Sequence, residues 1–169
     1  IKPDASLSQH WKITRDIVKR GYSKEQILQI LQAREEDSKN FIESQSQYAD
    51  IIISPRPLNP ISNIGDAAET IEITFDLLMS NSIYLEHVIE DLHPIEGLTL
   101  SQSYLDDDKQ KISINGEISS NEIAVIANNH IPGLFDLGVD YPEWPKDAFG
   151  VTVLILIYSI FEAAEYGKE

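Results

Sequence analysis

Four cations on one predicted helix are the residues best suited to chemistry in this sequence. Lys12, Arg15, Lys19 and Arg20 lie within nine residues, and at about 100° per residue the first three fall within about 60° of one another, with Arg20 at the flank. An arginine fork donates two hydrogen bonds to phosphoryl oxygens and keeps its charge, and lysine adds a mobile point charge. Together they could bind a phosphate group or neutralise charge that develops during phosphoryl transfer. The alternative is a solvated helix face in which Asp16 pairs with Lys12, Lys19 or Arg20.

The charge of the whole chain favours a small anion over a polyanion as the ligand of this helix. The 169 residues carry a net charge of −15. Residues 1–56 hold nine Lys and Arg against eight Asp and Glu, whereas the rest holds four against twenty. Because so acidic a surface repels nucleic acid and anionic membranes, we expect neither as a partner. The absence of cysteine excludes disulfides and thiolate metal sites.

Two helices and a strand are predicted in the first third of the chain. Ser6–Gln9 is a possible capping box for a helix that stops at Gly21, and Ser23–Gln26 is a second box that opens the next helix. The β-branched, nearly charge-free run at 48–54 predicts a short buried strand. Three prolines, two asparagines and a glycine follow in residues 54–66. They favour a linker, so we predict domains at 1–56 and 67–169, joined by a linker at 57–66.

The second predicted domain combines strands and helices. Alternating apolar residues predict a strand at 70–76, a less regular run predicts one at 83–88, and a hairpin is expected across the turn at 106–109. A helix capped by Ser119 and a final helix at 147–167 complete the pattern. The fold class is therefore α+β: an N-terminal helical segment with one short strand, then a mainly antiparallel sheet packed with two or more helices.

Two consecutive motifs resemble a known kinase family. The segment WKITRDIVKRGYS (11–23) resembles W-K-I-x-R-D-x-x-x-R-G-[HY]-[ST] of the phosphoribulokinase and uridine kinase-like P-loop kinases. The continuation AREEDSKNFIESQSQYADIII (33–53) is similar to A-R-x-x-D-x-x-x-[FY]-I-x-P-Q-x-x-x-A-D-[IV]-x-[IV], with Ser44 in place of the proline. A weaker similarity to the family's C-terminal region lies in INGEISSNEIAVIANNHI (114–131).

The resemblance implies that the basic helix belongs to the lid over a kinase active site. By position, Arg15 would stabilise the transition state with support from Lys12, and Arg20 would contact the sugar phosphate with Lys19 nearby. Arg34 also matches a family position, but its core-facing spacing favours a pair with Asp37 or Asp50.

The motif that would hold ATP is missing from these residues. No G-x-x-x-x-G-K-[ST] loop is present. We therefore expect the chain to be the C-terminal portion, from the lid onward, of a cytoplasmic kinase that phosphorylates a sugar phosphate or nucleoside hydroxyl. Mg-ATP would be bound mainly by an upstream domain, and this chain alone would be inactive, with no cofactor or metal of its own. The alternative is a non-catalytic dimerisation or regulatory α+β module.

Other candidate sites are weaker on sequence grounds. The acidic run Asp106–Asp108 lacks the spacing of a calcium loop and fits a hairpin tip. His87 and His93 could form a weak metal site, although surface roles are expected for both, and Trp144 is expected to anchor a loop rather than to stack on a ligand. The final helix is apolar almost all round, which predicts either full burial or sharing with a second subunit in a homodimer.

Overall fold

The computed structural model describes residues 1–34, 43–134 and 143–166. The chain divides into two compact units, Ile1–Ile73 and Thr74–Glu169, and each is described by itself. Both helices and antiparallel strands are present, which confirms the α+β class. The predicted domain limits at 56 and 67 remain a prediction.

Helix α1 of the first unit spans Ala5–Arg20. The carboxylate of Asp4, and not the predicted Ser6, caps it by accepting hydrogen bonds from the backbone N–H groups of Ser6 (2.8 Å) and Leu7 (3.4 Å). These bonds hold the pKa of Asp4 below its usual range, the largest contribution coming from the Ser6 hydroxyl. The helix ends at Gly21 as predicted, because φ of +68° there is a left-handed conformation that favours glycine.

Helix α2 spans Lys24–Ala33 and opens with the predicted capping box. Ser23 accepts from the Gln26 backbone while the Gln26 side chain accepts from the Ser23 backbone, at 3.3 and 3.0 Å. Only Ile27 is buried among its residues. Arg34, the C-cap, is exposed rather than core-facing. Of its two predicted partners, Asp37 lies outside the described residues, and no ion pair joins Arg34 to Asp50 within them.

Strand β1 begins later than predicted. Residues Glu43–Tyr48 form a 3₁₀ turn, and β1 spans Ile51–Pro57. Backbone bonds from Lys2 N–H to the Ile53 carbonyl (2.7 Å) and from Asp4 N–H to the Pro55 carbonyl (2.9 Å) join this strand to the residues before α1. The prolines of 54–57 therefore lie inside a strand, where the sequence predicted the start of a linker.

The rest of the predicted linker is held by specific hydrogen bonds. Glu69 accepts from the backbone N–H groups of Ser62 and Asn63, both at 2.7 Å. The backbone N–H of Gly65 donates to Nδ1 of His10 on α1, at 3.2 Å. These bonds fix residues 62–65 against the buried face of α1.

The second unit contains three antiparallel strands. Strand β4 (Lys109–Gly116) lies between β2 (Ile73–Ser80) and β3 (Leu98–Tyr104). Leu77 pairs with Ile112 and Leu98 with Gly116, and the β3–β4 hairpin is the predicted one. Strand β2 starts later than the predicted 70–76.

Three helices pack on this sheet. They are α3 (Glu86–Leu92), α4 (Ser120–His130) and α5 (Asp147–Tyr166). The predicted strand at 83–88 is wrong, because Leu85, Val88 and Leu92 share the spacing of a helix face and are buried together. Helix α4 has the predicted capping box, in which the Ser119 hydroxyl donates to Glu122 at 2.6 Å and keeps the pKa of that carboxyl low.

Helix α5 is the main apolar element of the second unit. Val151, Leu154 and Ile155 are fully buried on one side of it, where it packs against α4 and β4. By length and composition the window Asp147–Ala164 could cross a membrane, yet 44% of it is buried inside the protein, and a core helix passes the same test. Gly167, the predicted end of this helix, lies outside the described residues.

Candidate anion site on helix α1

Helix α1 presents the four predicted cations to solvent. Its buried residues Leu7, His10 and Ile13 lie at helical spacing and form one face. The remaining surface carries the basic cluster, which we define as the exposed residues Lys12, Arg15, Lys19 and Arg20. The same packing that fixes the apolar face therefore fixes the direction in which these cations project.

Asp16 organises the two arginines of the basic cluster. Nε of Arg15 donates to Oδ1 of Asp16 at 2.8 Å, and Nε of Arg20 lies 3.6 Å from the same oxygen. The Asp16 side chain is only 13% exposed, whereas those of Arg15 and Arg20 are 51% and 57% exposed. One largely covered carboxylate thus draws together two guanidinium groups that remain more than half in solvent.

The electrostatics of this contact favour the charged forms on both sides. The hydrogen bond from Arg15 lowers the pKa of Asp16, and the charges of Arg15, Arg20 and Lys12 lower it further against the opposing effect of burial. The same bond raises the pKa of Arg15 above its ordinary value. Asp16 is therefore an anion wherever the protein is studied near neutral pH.

The cluster keeps hydrogen-bonding capacity for an anionic ligand. The two contacts to Asp16 are made by Nε, and each arginine carries four further N–H bonds on its terminal amino groups. Lys12 and Lys19 form no ion pair with any residue in the described ranges. Asp16 offsets one of the four positive charges, and the remaining three suit a dianionic phosphate group.

The structure bears on the pairing predicted for Asp16, whereas the binding and catalytic roles predicted for the four cations stay predictions. Asp16 pairs with Arg20, as the solvated-face alternative expects, but its closest partner is Arg15, which that alternative did not name. Helical spacing does not predict a contact between Arg15 and Asp16, because side chains of adjacent residues on a helix point about 100° apart. The Arg15–Asp16 pair forms because the Arg15 side chain is long enough to bring Nε to the carboxylate of the next residue.

Sequence analysis also missed His10 as a structural residue. It is 5% exposed, and its Nδ1 accepts from the Gly65 backbone, which fixes the tautomer with the proton on Nε2. Gly65 has φ of +94°, and a Cβ there would overlap Cγ2 of Ile13. A signal existed: His10 lies between Leu7 and Ile13 at the spacing of the apolar face.

The other candidate sites do not assemble into a metal centre. Within residues 1–34, 43–134 and 143–166, no group of three or more His, Asp and Glu side chains could hold a metal ion. His87 pairs with the exposed Glu90, at 3.6 Å. The Asp106 carboxylate accepts a hydrogen bond from the backbone N–H of Asp108 at 2.9 Å, a contact that is typical of a turn. Trp144 is 6% exposed, so its ring is buried in the second unit.

A shallow groove of about 370 Å³ lies on α2, lined by Tyr22, Gln26, Gln29, Ile30 and Ala33. None of these lining residues belongs to the basic cluster. The sequence contains no G-x-x-x-x-G-K-[ST] loop that would hold the phosphates of ATP, and where Mg-ATP binds stays a prediction.

Comparison with known proteins bears on the first unit. Residues 1–62 match the model of the Phosphoribulokinase / Uridine kinase family. The phosphoribulokinase of Synechocystis is 43% identical over 54 residues, which are 32% of this chain and 16% of that protein. The chloroplastic phosphoribulokinases of Arabidopsis thaliana and Triticum aestivum are both 46% identical over 57 residues, which are 32% of this chain and 14% of each.

These similarities define the class of the segment that carries the basic cluster. Residues 1–62 are phosphoribulokinase/uridine kinase-like, as the motif at 11–23 predicted. Within that class, the named relatives are phosphoribulokinases from a cyanobacterium and from plant chloroplasts. The chain spans about 14–16% of the length of these relatives.

Proposed function

We propose that this chain is part of a kinase that transfers the γ-phosphoryl group of ATP to a hydroxyl group of a sugar phosphate. The similarity of residues 1–62 to phosphoribulokinases supports a kinase. The observation that carries the proposal is the basic cluster itself: Arg15 and Arg20 lie in the matched segment, are drawn together by Asp16 and remain more than half exposed. A nucleoside acceptor is the alternative within the same family.

In this proposal the basic cluster closes over the reacting phosphates. Arg15 stabilises the charge that spreads over the equatorial oxygens of the transferring phosphoryl group, and Lys12 supports it. Arg20 and Lys19 bind the phosphate of the acceptor. Asp16 acts as a positioning residue, because it restricts the guanidinium groups before the substrate arrives and so reduces the entropy lost on binding.

The proposal requires Mg-ATP to be bound by residues outside these 169, in a cytoplasmic protein. Reading the coding sequence before Ile1 tests this requirement directly. A G-x-x-x-x-G-K-[ST] loop and a carboxylate suited to act as general base would support the kinase. Their absence would leave the non-catalytic alternative, a dimerisation or regulatory module.

Steady-state kinetics of the protein that contains both parts test the role of the cluster. Substituting Arg15→Ala should lower kcat at least about a hundredfold, because an arginine that stabilises phosphoryl transfer contributes about 10³–10⁵ in rate. Arg20→Ala should instead act mainly on KM for the sugar phosphate. Lys24→Ala removes an exposed cation on α2 and serves as the control. A kcat for Arg15→Ala within a few-fold of the wild type and of Lys24→Ala would contradict the assignment.

A further inference from the structure

A shallow groove of about 420 Å³ lies in the second unit, where α3 and the turn after it meet α4. Its apolar lining consists of Ile95, Val125 and Ile126. Val125 is 61% exposed and Ile95 is half-buried, so apolar surface is open to solvent here. The carboxylate residues Asp91 and Glu122 line the same groove. The groove therefore offers apolar and acidic contacts side by side.

The two acidic side chains of the groove are held by neighbouring residues. Oδ2 of Asp91 lies 2.8 Å from Nε2 of His130. Oε2 of Glu122 accepts from the backbone N–H and the hydroxyl of Ser119, at 3.0 and 2.6 Å, and these bonds keep the pKa of Glu122 low. The contacts use one oxygen of each carboxylate, and each carboxylate carries a second acceptor oxygen. Two ordered carboxylates of this kind suit lysine or arginine side chains.

The charge of the surrounding unit favours a cationic partner. Residues 74–169 carry four Lys and Arg against seventeen Asp and Glu. Two further exposed acids, Glu90 and Glu96, are the sequence neighbours of the lining residues Asp91 and Ile95. Such a surface repels nucleic acid, anionic lipid and a second copy of the same unit, whereas it attracts a basic partner and speeds its association.

The shape of the groove favours a peptide segment over a small molecule. Its lining on α4 extends from Asn121 to Asn129, which is about two helical turns or about 12 Å. A shallow groove leaves much of a small ligand in water, whereas small-molecule pockets bury most of their ligand. A segment laid along α4 would instead place two or three apolar side chains in the lining and its flanking cations near the carboxylates.

From these observations we propose that the groove binds a basic amphipathic segment of another protein. Apolar side chains of that segment contact Ile95, Val125 and Ile126, and its lysine or arginine side chains pair with Asp91 and Glu122. The inference concerns the second unit and does not rest on the proposed kinase activity. Because the groove is much smaller than the roughly 800 Å² per partner of a standard interface, we expect a transient contact with a dissociation constant in the micromolar range or weaker.

Fluorescence anisotropy of a labelled peptide tests the proposal on the 169-residue chain. The probe is a helical peptide of about 14 residues, made only of leucine and lysine with the leucines on one face. A second peptide has serine in place of every leucine, and a third has glutamate in place of every lysine. The leucine–lysine peptide should bind, the serine–lysine peptide should bind at least about tenfold more weakly, and the glutamate peptide should not bind.

Variants of the groove locate the binding site of the peptide. Val125→Lys should weaken binding at least about tenfold, because it removes an apolar contact and adds a repelling cation. Ile160→Lys is the matched control: Ile160 is 68% exposed on α5 of the same unit, it does not line the groove, and the change in charge is the same. It should change the dissociation constant less than about twofold, which is within the range of weak surface electrostatics.

Two milder variants separate the apolar and the acidic contributions. Val125→Ser removes the apolar contact without adding charge and should weaken binding at least about threefold. Asp91→Asn should weaken it by a similar factor of about three, whereas Asp107→Asn removes an exposed carboxylate at the β3–β4 turn and should have a smaller effect. Circular dichroism checks that every variant keeps its helix content.

Equal binding of the leucine–lysine peptide to Val125→Lys and Ile160→Lys would overturn the proposal, because the peptide would then be held by the acidic surface as a whole. A serine–lysine peptide that binds as tightly as the leucine–lysine peptide would do the same. So would an absence of binding at peptide concentrations up to about 1 mM. If Val125→Lys loses helix content, the comparison of Val125→Ser with the wild type decides the question.

Discussion

Substituting Gly65→Ala tests whether residues 62–65 are a docked part of the first unit or a free linker. In the structure Gly65 adopts φ of +94°, and an added Cβ would overlap Cγ2 of Ile13 on α1. The left-handed backbone costs about 1–2 kcal/mol for a residue with a Cβ, and overpacking adds about 1–3 kcal/mol. We expect a loss of about 2–5 kcal/mol in the free energy of unfolding of the first unit.

Gly21→Ala is the matched control for the backbone part of this cost. Gly21 also has a positive φ, +68°, but no heavy atom lies within 4 Å of the Cβ position. The control should therefore lose only about 1–2 kcal/mol. Combining Gly65→Ala with Ile13→Ala removes the methyl group that the new Cβ would meet, so the cost of Gly65→Ala in that background should fall to the value of the control.

Urea unfolding followed by tryptophan fluorescence measures these differences. Trp11 lies on α1 in the first unit and Trp144 lies in the second, so the variant Trp144→Phe leaves a reporter for the first unit alone. With a slope of about 1 kcal/mol per molar urea for a unit of this size, the Gly65→Ala midpoint should fall by about 2–5 M. A midpoint no lower than that of Gly21→Ala would refute the docking of residues 62–65 onto α1.

Two further substitutions test the ion pair and the core of the second unit. Because the pKa of Asp16 is lowered in the folded state, its contribution to stability is present above its ordinary value of 3.8 and is lost as the pH falls through the lower folded pKa. Asp16→Asn should therefore destabilise the first unit at pH 7, and the gap between its unfolding midpoint and that of the wild type should narrow as the pH falls below 3.8. A gap that stays constant as the pH falls would contradict the role of Arg15. Gln110 is 1% exposed and donates to the carbonyls of Ser80 (3.0 Å) and Ile83 (2.8 Å), so Gln110→Ala should cost about 1–3 kcal/mol of unfolding free energy in the second unit. No change in the Trp144 fluorescence transition would argue against those bonds.

Elements with local stop and start signals were predictable from sequence. The boxes at Ser23 and Ser119, the stop at Gly21 and the β3–β4 hairpin are all confirmed, because each depends on contacts between residues a few positions apart. Helix α3 was not predicted because it lacks such a local signal. Its N-cap, Leu85, makes no side-chain capping bond, so the sequence does not mark where the helix starts.

Elements that depend on distant partners were predicted less well. Prolines 55 and 57 argue against strand locally, yet β1 includes both, because backbone bonds from residues 2 and 4 hold it from elsewhere in the chain. The segment 62–65 reads as a linker by composition, but Glu69 and His10 fix its backbone. Sequence patterns carry no information about such partners.

For the candidate site, the sequence by itself determined which cations share a helix and which family their spacing resembles, since both follow from residue type and a 3.6-residue repeat. It also determined that α5 is apolar almost all round. Only the tertiary structure decided that Asp16 is largely covered and bonded to Arg15, and which side of α5 is buried and which side stays exposed. The physical reason is common to both cases: burial and ion pairing depend on the surfaces that pack against a helix, and those surfaces come from distant parts of the chain.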